Sequence, residues 1–261
     1  MQFYTTSSRI NLHYRWIDSG QSNTFVFINA LGTDFRIWDE VVELLKPSGN
    51  ILCFDKQGHG LSSLSDGDKK LTDYMNDLVG LVQHLKISKF HLVGLSVGGM
   101  IAQLIAYHHP ALIDKLILFN TRHKIGDADG WNARIKQVEE SGVASVSESI
   151  LQRWFTEKFR TNNPGKVEGI RTMLNRCPTQ GYTQTCKAIR DADLTETTKQ
   201  INKPTLVIAC SEDLSTPAKD VGDLQELISG SQFKIISGSG HLLCVDNVNV
   251  LVDLIKNFAS I

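Results

Sequence analysis

The sequence predicts an α/β protein built on a mostly parallel sheet. Continuous apolar runs of strand length alternate with runs of helical spacing along most of the chain. One of those strands meets its helix across a tight Gly-x-Ser-x-Gly turn, Gly94-Leu95-Ser96-Val97-Gly98. The alternation stops between residues 123 and 193, where only amphipathic helical segments occur, which is the pattern of an insertion.

The bulk properties bound the function classes. A chain of 261 residues is long enough for one large core. A composition 41% hydrophobic and 21% charged excludes disordered and fibrous classes. Lys+Arg 27 against Asp+Glu 28 leaves a net charge of −1, so neither nucleic acid nor an anionic membrane surface is an expected partner. No apolar run reaches spanning length, and Met1–Thr5 lacks the basic start of a signal peptide. Five cysteines, with Cys53 and Cys210 inside apolar runs, read as buried thiols of a cytoplasmic protein.

In chain order, Asn11 to Ile17 alternates Leu12, Tyr14 and Trp16 against His13 and Arg15, a half-buried strand. Thr24 to Ile28 and Asn50 to Phe54 are uninterrupted apolar strands, expected to be covered on both faces. Between them lie the loop Asn29 to Arg36 and a helix carrying Trp38, Val41, Val42, Leu44 and Leu45. A second helix runs from about Thr72 to Leu85, with Thr72 or Asp73 available as N-cap. The elbow strand and its helix follow, and Pro110 ends that helix. Lys115 to Phe119 is a further strand. Two or three amphipathic helices fill the insertion, with Trp131, Ile135, Ile150, Trp154 and Phe155 on their apolar faces. Strands resume at Thr205 to Ala209 and Phe233 to Ile236, and a helix from Val248 to Phe258 closes the chain.

Ligands of open parallel sheets sit beyond the carboxyl ends of the strands, so chemistry is sought there. Ser96 is the candidate nucleophile, and a serine hydroxyl needs an adjacent base. Of eight histidines, His59 and His241 follow strands through glycine-bearing loops. His241 is preferred because it comes last, in the order serine, acid, histidine. The acid lies after Thr205–Ala209, at Asp213 or its neighbour Glu212, and would fix the histidine tautomer. Asp246 reads as a cap of the last helix, with Asn247. Two backbone N–H groups suit an oxyanion: Val97, at the start of the elbow helix, and Leu31, in the loop after Thr24–Ile28. Neither a metal nor an organic cofactor is needed. The pair His108-His109 lacks the partner a helical metal site requires, and Cys177 and Cys186 lack ligand spacing to any histidine.

With Ser96, an acid and His241 in this order, the chain resembles the α/β-hydrolase superfamily over nearly its whole length. Asn29-Ala30-Leu31-Gly32-Thr33-Asp34-Phe35-Arg36-Ile37-Trp38 and Phe54-Asp55-Lys56-Gln57-Gly58-His59-Gly60-Leu61-Ser62 are similar to two segments of bacterial 3-oxoadipate enol-lactonases. So are Arg153-Trp154-Phe155-Thr156 and the stretch from Gly181-Tyr182 to Ala192-Asp193 in the insertion. Ala30 stands where that family has serine, and Gln57 where it has arginine; both are expected to face the region that sets specificity.

The resemblance implies an eight-stranded, mostly parallel sheet with helices on both faces. Residues 1–122 and 194–261 would form the core and 123–193 a helical cap over the site. Its register selects Asp213 over Glu212. The implied reaction opens a small anionic enol-lactone, giving 3-oxoadipate in the β-ketoadipate route of aromatic catabolism. A carboxylate-bearing substrate calls for a cation, for which Arg36, Arg134, Arg153 and Arg190 are candidates, with Trp131 and Trp154 as apolar walls. Other readings keep the fold: a carboxylesterase, C–C hydrolase or perhydrolase using the same three residues, or a ligand receptor without turnover.

Overall fold

The computed structural model describes residues 1–261. Its eight strands are β1 (Gln2–Thr5), β2 (Asn11–Ile17), β3 (Thr24–Ile28), β4 (Asn50–Phe54), β5 (Phe90–Leu95), β6 (Ile113–Phe119), β7 (Thr205–Cys210) and β8 (Gln232–Ile236). They form one sheet in the order β1-β2-β4-β3-β5-β6-β7-β8. β2 is antiparallel to both neighbours, and β4 through β8 run parallel. Every residue of β3, β5 and β7 is buried, as their unbroken apolar runs require. β8 is the far edge and stays largely open, with Ile235 exposed.

Helices α1 (Asp39–Leu45), α2 (Leu71–His84) and α3 (Val97–His108) return the chain between the first parallel strands. Ten of the twelve residues of α3 are buried, so this is a core helix and not an amphipathic surface one. Trp38, in a short turn before α1, is fully buried; its ring packs 4.9 Å from Phe27 and edge-on, 5.8 Å, to Phe119. Each such fully buried side chain contributes roughly 1.5–3 kcal/mol of transfer free energy.

The segment between β6 and β7 holds five helices: α4 (Ala128–Ser141), α5 (Ala144–Trp154), α6 (Glu157–Asn162), α7 (Pro164–Asn175) and α8 (Thr179–Arg190); the short α9 (Thr195–Thr198) then leads back to the sheet. That exceeds the two or three expected, because Gly142, Asn163-Pro164 and Pro178 divide the segment more finely than its apolar spacing does. α10 (Ala218–Leu227), α11 (Leu243–Asp246) and α12 (Val248–Ala259) complete the chain.

Three local expectations are corrected. α2 starts at Leu71, one residue before the expected caps; Asp73 sits inside its first turn and accepts the Lys70 N–H at 2.8 Å. His13, expected on the solvent side of β2, is buried with its Nδ1 2.8 Å from Asp55 Oδ2. Asp246 does not cap α12; it lies in α11 and accepts the Gly240 N–H at 2.7 Å.

The elbow is where the core is tightest. Ser96 has φ 57° and ψ −124°, a conformation costing about 1–3 kcal/mol for a residue with a side chain. A β-carbon on Gly98 would lie 2.2 Å from the Ile28 carbonyl oxygen, and one on Gly94 would lie 2.6 Å from the Gly98 oxygen. Both obstructions are backbone and cannot step aside.

Gly98→Ala is therefore expected to lower unfolding stability by about 3 kcal/mol or more, or to prevent folding. Gly169→Ala, in α7 with open space around it, should raise stability by about 0.5–1 kcal/mol. Urea denaturation midpoints of the two variants, read beside the unsubstituted protein, check both.

Candidate active site

Three strand ends converge on one cavity of about 290 Å³ whose lining includes Leu31, Ser96 and His241. Ser96 follows β5 directly. Its N–H donates to the Phe119 carbonyl at 3.3 Å, and its own carbonyl accepts Thr121 Oγ1 at 2.6 Å. The strained residue is thus tied to the end of β6 from both sides of its backbone.

His241 and Asp213 come from the loops after β8 and β7. His241 Nδ1 lies 2.7 Å from Asp213 Oδ2, with both side chains almost wholly buried. Asp213 Oδ2 also accepts Thr216 Oγ1 at 2.6 Å, while Oδ1 accepts the N–H groups of Ser215 and Thr216 at 2.7 and 3.1 Å. Burial alone would push this carboxyl up. The neighbouring His241 and the Thr216 donors outweigh it, and the group is held below the ordinary carboxylate value. Glu212 is exposed and its carboxylate bonds only to Ser211 Oγ, so Asp213 is the acid that meets the histidine.

A carboxylate on Nδ1–H leaves Nε2 as the basic nitrogen, available to a hydroxyl in the cavity. The backbone of His241 is held by three elements. Its N–H donates to the Trp154 carbonyl at 2.8 Å, at the end of α5. Its carbonyl accepts Asn120 Nδ2 at 2.9 Å, just past β6. Asp246 holds the preceding Gly240 N–H, and burial pushes that carboxyl up to about 6. A β-carbon on Gly240 would stand 2.2 Å from the Trp154 oxygen, so only glycine allows α5 this near. The Trp154 ring stacks on the imidazole at 6.0 Å.

His59, the other histidine at a strand end, has a different place. It is buried, its Nε2 accepts the Gly32 N–H at 3.0 Å, and its Nδ1 faces the Gln57 carbonyl at 3.3 Å. A donor on one side and an acceptor on the other set a single neutral tautomer. Burial, then the nearby Lys56 charge, push this imidazole well below its ordinary value. It props the 29–36 loop. That loop leaves the Leu31 N–H without a protein acceptor, and Val97 N–H stands in the first turn of α3, where helical bonding does not use it.

The cavity brings together some of the expected wall residues and not others. Trp131, Arg134, Arg153 and Trp154 line it, with Ile125, Ile150, Tyr182 and Ile189. The Arg134 guanidinium sits 5.3 Å over the Trp131 ring, and Arg153 Nη2 donates to the Leu214 carbonyl at 2.9 Å. One carboxylate, Asp127, shares the lining, where it accepts the Gly130 N–H and caps α4. Arg36 and Arg190 are corrected: neither reaches this cavity. Arg36 is folded back on Asp34, 2.6 Å away, and faces a separate cavity; Arg190 pairs with Asp191 at 2.7 Å on the exposed side of α8. Asn120 and Thr216 carry no distinguishing signal in the sequence, since a lone polar residue after a strand is commonplace. No group of three or more His, Cys, Asp or Glu is arranged to hold a metal, and no helix is long and apolar enough to cross a membrane.

The strand order, the elbow and this site define the class: the chain belongs to the α/β-hydrolase fold family, whose model matches residues 23–248. Within that family it is similar to two curated proteins of Acinetobacter baylyi. These are 3-oxoadipate enol-lactonase 2, 31% identical over 90% of this chain and 88% of the relative, and 3-oxoadipate enol-lactonase 1, 33% identical over the same shares. Among solved structures, the enol-lactonase from Burkholderia xenovorans LB400 superposes with a TM-score of 0.96 at 27% identity, covering 100% of both chains. The resemblance to enol-lactonases read from the sequence is matched by these relatives.

The two departures from that family's segments, Ala30 and Gln57, are both buried outside the cavity lining, contrary to expectation. Gln57 Nε2 donates to Asp77 Oδ2 at 2.8 Å, an amide beside a carboxyl group that makes no ion pair. Burial, then the charge of Asp73, push the Asp77 carboxyl up to about 7. A carboxyl raised from 3.8 to about 7 binds its proton more tightly folded than unfolded, so stability falls as pH climbs between those values. The full penalty above pH 7 is roughly 4 kcal/mol at 1.36 kcal/mol per pK unit. Asp77→Asn is expected to be more stable than the unsubstituted protein at pH 8. The difference should disappear at pH 4, as measured by urea midpoints at the two values.

Proposed function

We propose that the protein hydrolyses a small carboxylate-bearing enol-lactone, 3-oxoadipate enol-lactone, to 3-oxoadipate through a Ser96–His241–Asp213 triad. The single observation that carries this reading is one small cavity that holds Ser96, His241 and two guanidiniums, Arg134 and Arg153. The relatives named above support the same substrate class.

His241 Nε2 takes the Ser96 proton as Oγ attacks the lactone carbonyl, and Asp213 steadies the imidazolium through Nδ1–H. The oxyanion that forms is bound by Leu31 and Val97 N–H. Collapse breaks the ring C–O bond and expels an enolate oxygen, which takes the proton from His241. An enol leaves far more readily than an alkoxide, so the ester linkage to Ser96 forms easily. Water, deprotonated by the same histidine, then attacks the acyl-enzyme; its collapse returns the proton to Ser96 and frees the acid.

The acetate arm of the substrate is held by Arg134 or Arg153. Their heads meet an indole ring and a carbonyl rather than a carboxylate, so either can take up an anion without breaking an ion pair. Helices of residues 123–193 act as a cap on a core of 1–122 and 194–261, closing the apolar walls Trp131 and Trp154 around the lactone.

Ser96→Ala is expected to lower turnover of freshly generated enol-lactone by about 10⁴-fold or more, with the fold retained. Equal rates in both proteins, or none in either, would refute the reading. Arg134→Gln and Arg153→Gln test the anion site. The one that binds the arm should raise KM about 10- to 100-fold while kcat changes little. Against the methyl ester of the arm, that same variant should lose no more than the unsubstituted enzyme already does.

A further inference from the structure

A buried amine behind the proposed oxyanion site has no part in the steps above. Lys56 follows β4, is 1% exposed, and does not line the cavity. Its Nζ donates to two backbone carbonyls of the 29–36 loop, Asn29 at 2.9 Å and Ala30 at 3.0 Å. The Ala30 carbonyl is the opposite end of the peptide unit whose N–H belongs to Leu31. It also accepts Thr33 Oγ1 at 2.9 Å, so two side-chain donors load one oxygen while the N–H of that unit is left without a protein acceptor.

A peptide group is conjugated, so donors on its oxygen draw density from its nitrogen and make the N–H a stronger donor. The effect grows where water is excluded, as it is around Lys56. Burying the lysine carries a desolvation cost that its two hydrogen bonds offset. Burial pushes its amine down to about 7, against the opposing influence of the nearby acids Asp55 and Asp34. A methionine would fill the same space without that desolvation cost, but would leave the Asn29 carbonyl without a donor.

We infer that Lys56 is a positioning residue for the hydrolysis. By donating to the Asn29 and Ala30 carbonyls, its Nζ fixes the loop and polarises the peptide whose Leu31 N–H binds the oxyanion. This inference rests on the serine-hydrolase reading of Ser96. Lys56 acts through the loop and touches no substrate; its contribution is to the transition state and not to ground-state binding. His59 seats the next peptide of the loop by accepting the Gly32 N–H, so Lys56 and His59 grip the loop on either side of Leu31.

The test compares the full chain, Ser96→Ala, Lys56→Met and Thr33→Val on 4-nitrophenyl acetate. Phenylboronic acid serves as inhibitor, because its serine adduct is tetrahedral and anionic like the intermediate. Lys56→Met is expected to lower kcat about 10- to 100-fold with KM within about two-fold, less than deleting an oxyanion donor outright costs. Boronate inhibition should weaken by a similar factor. Thr33→Val, which removes the other side-chain donor to the same oxygen, should shift kcat and boronate affinity the same way by about three-fold. A merely structural role would lower the melting temperature without moving kcat and boronate affinity together. Wild-type kcat and boronate affinity in Lys56→Met, with Ser96→Ala inactive, overturn the inference and leave the Ser96 reading intact. Wild-type turnover by Ser96→Ala overturns both. Should Lys56→Met fail to fold, Thr33→Val decides, and unchanged kcat and boronate affinity there overturn the inference.

Discussion

A backbone contact that leaves no room for a side chain organises the site. Gly98, in the first turn of α3, lies so near the Ile28 carbonyl that a β-carbon would stand 2.2 Å from its oxygen. This approach sets the end of β3 against the start of α3. The loop that follows β3, with its unused Leu31 N–H, and the serine at the head of α3 consequently line one cavity. Ser96 is held at φ 57° between two such glycines, and the surrounding core opposes relaxation of that strain.

The histidine depends on a different kind of support. Its ring is oriented by Asp213, but its backbone is shared among β6, through Asn120, and the helical segment, through the Trp154 carbonyl. Asn120 also accepts the Cys210 N–H at 3.0 Å, so one side chain joins the ends of β6 and β7 to the loop after β8. The helical segment therefore helps to hold the histidine backbone. The end of α5 meets the core where His241 enters the cavity, and Leu214 and Arg153 bond to each other beside it. Displacing α5 would move the histidine, which couples the wall of the cavity to its chemistry.

Charge is handled by pairing in some places and by isolation in others. Arg36 and Arg190 each bond to an acid within two residues, so their charges are spent locally. Arg134 and Arg153 lack such neighbours in sequence and remain oriented into the cavity wall by a ring and a carbonyl. Asp55 shows the opposite extreme: buried, it takes donors from His13, Phe35 N–H and Leu61 N–H, and so ties β2, the 29–38 segment and the 56–62 loop together.

The sequence by itself determined what short-range sterics and periodicity control. Apolar runs marked the parallel strands, and glycine on both sides of Ser96 marked a turn that few other residues allow. The order serine, acid, histidine then placed three residues at three strand ends. Resemblance, not spacing, separated Asp213 from Glu212, because neighbouring residues of like chemistry differ only in the direction the folded loop gives them. Tertiary structure alone decided that direction. It turned Arg134 and Arg153 inward and Arg36 and Arg190 away, gave Asp246 to Gly240 in place of a helix cap, and buried His13 and Lys56 against backbone and acid. A side chain's partner is set by packing between segments far apart in the chain, and no local pattern carries that information.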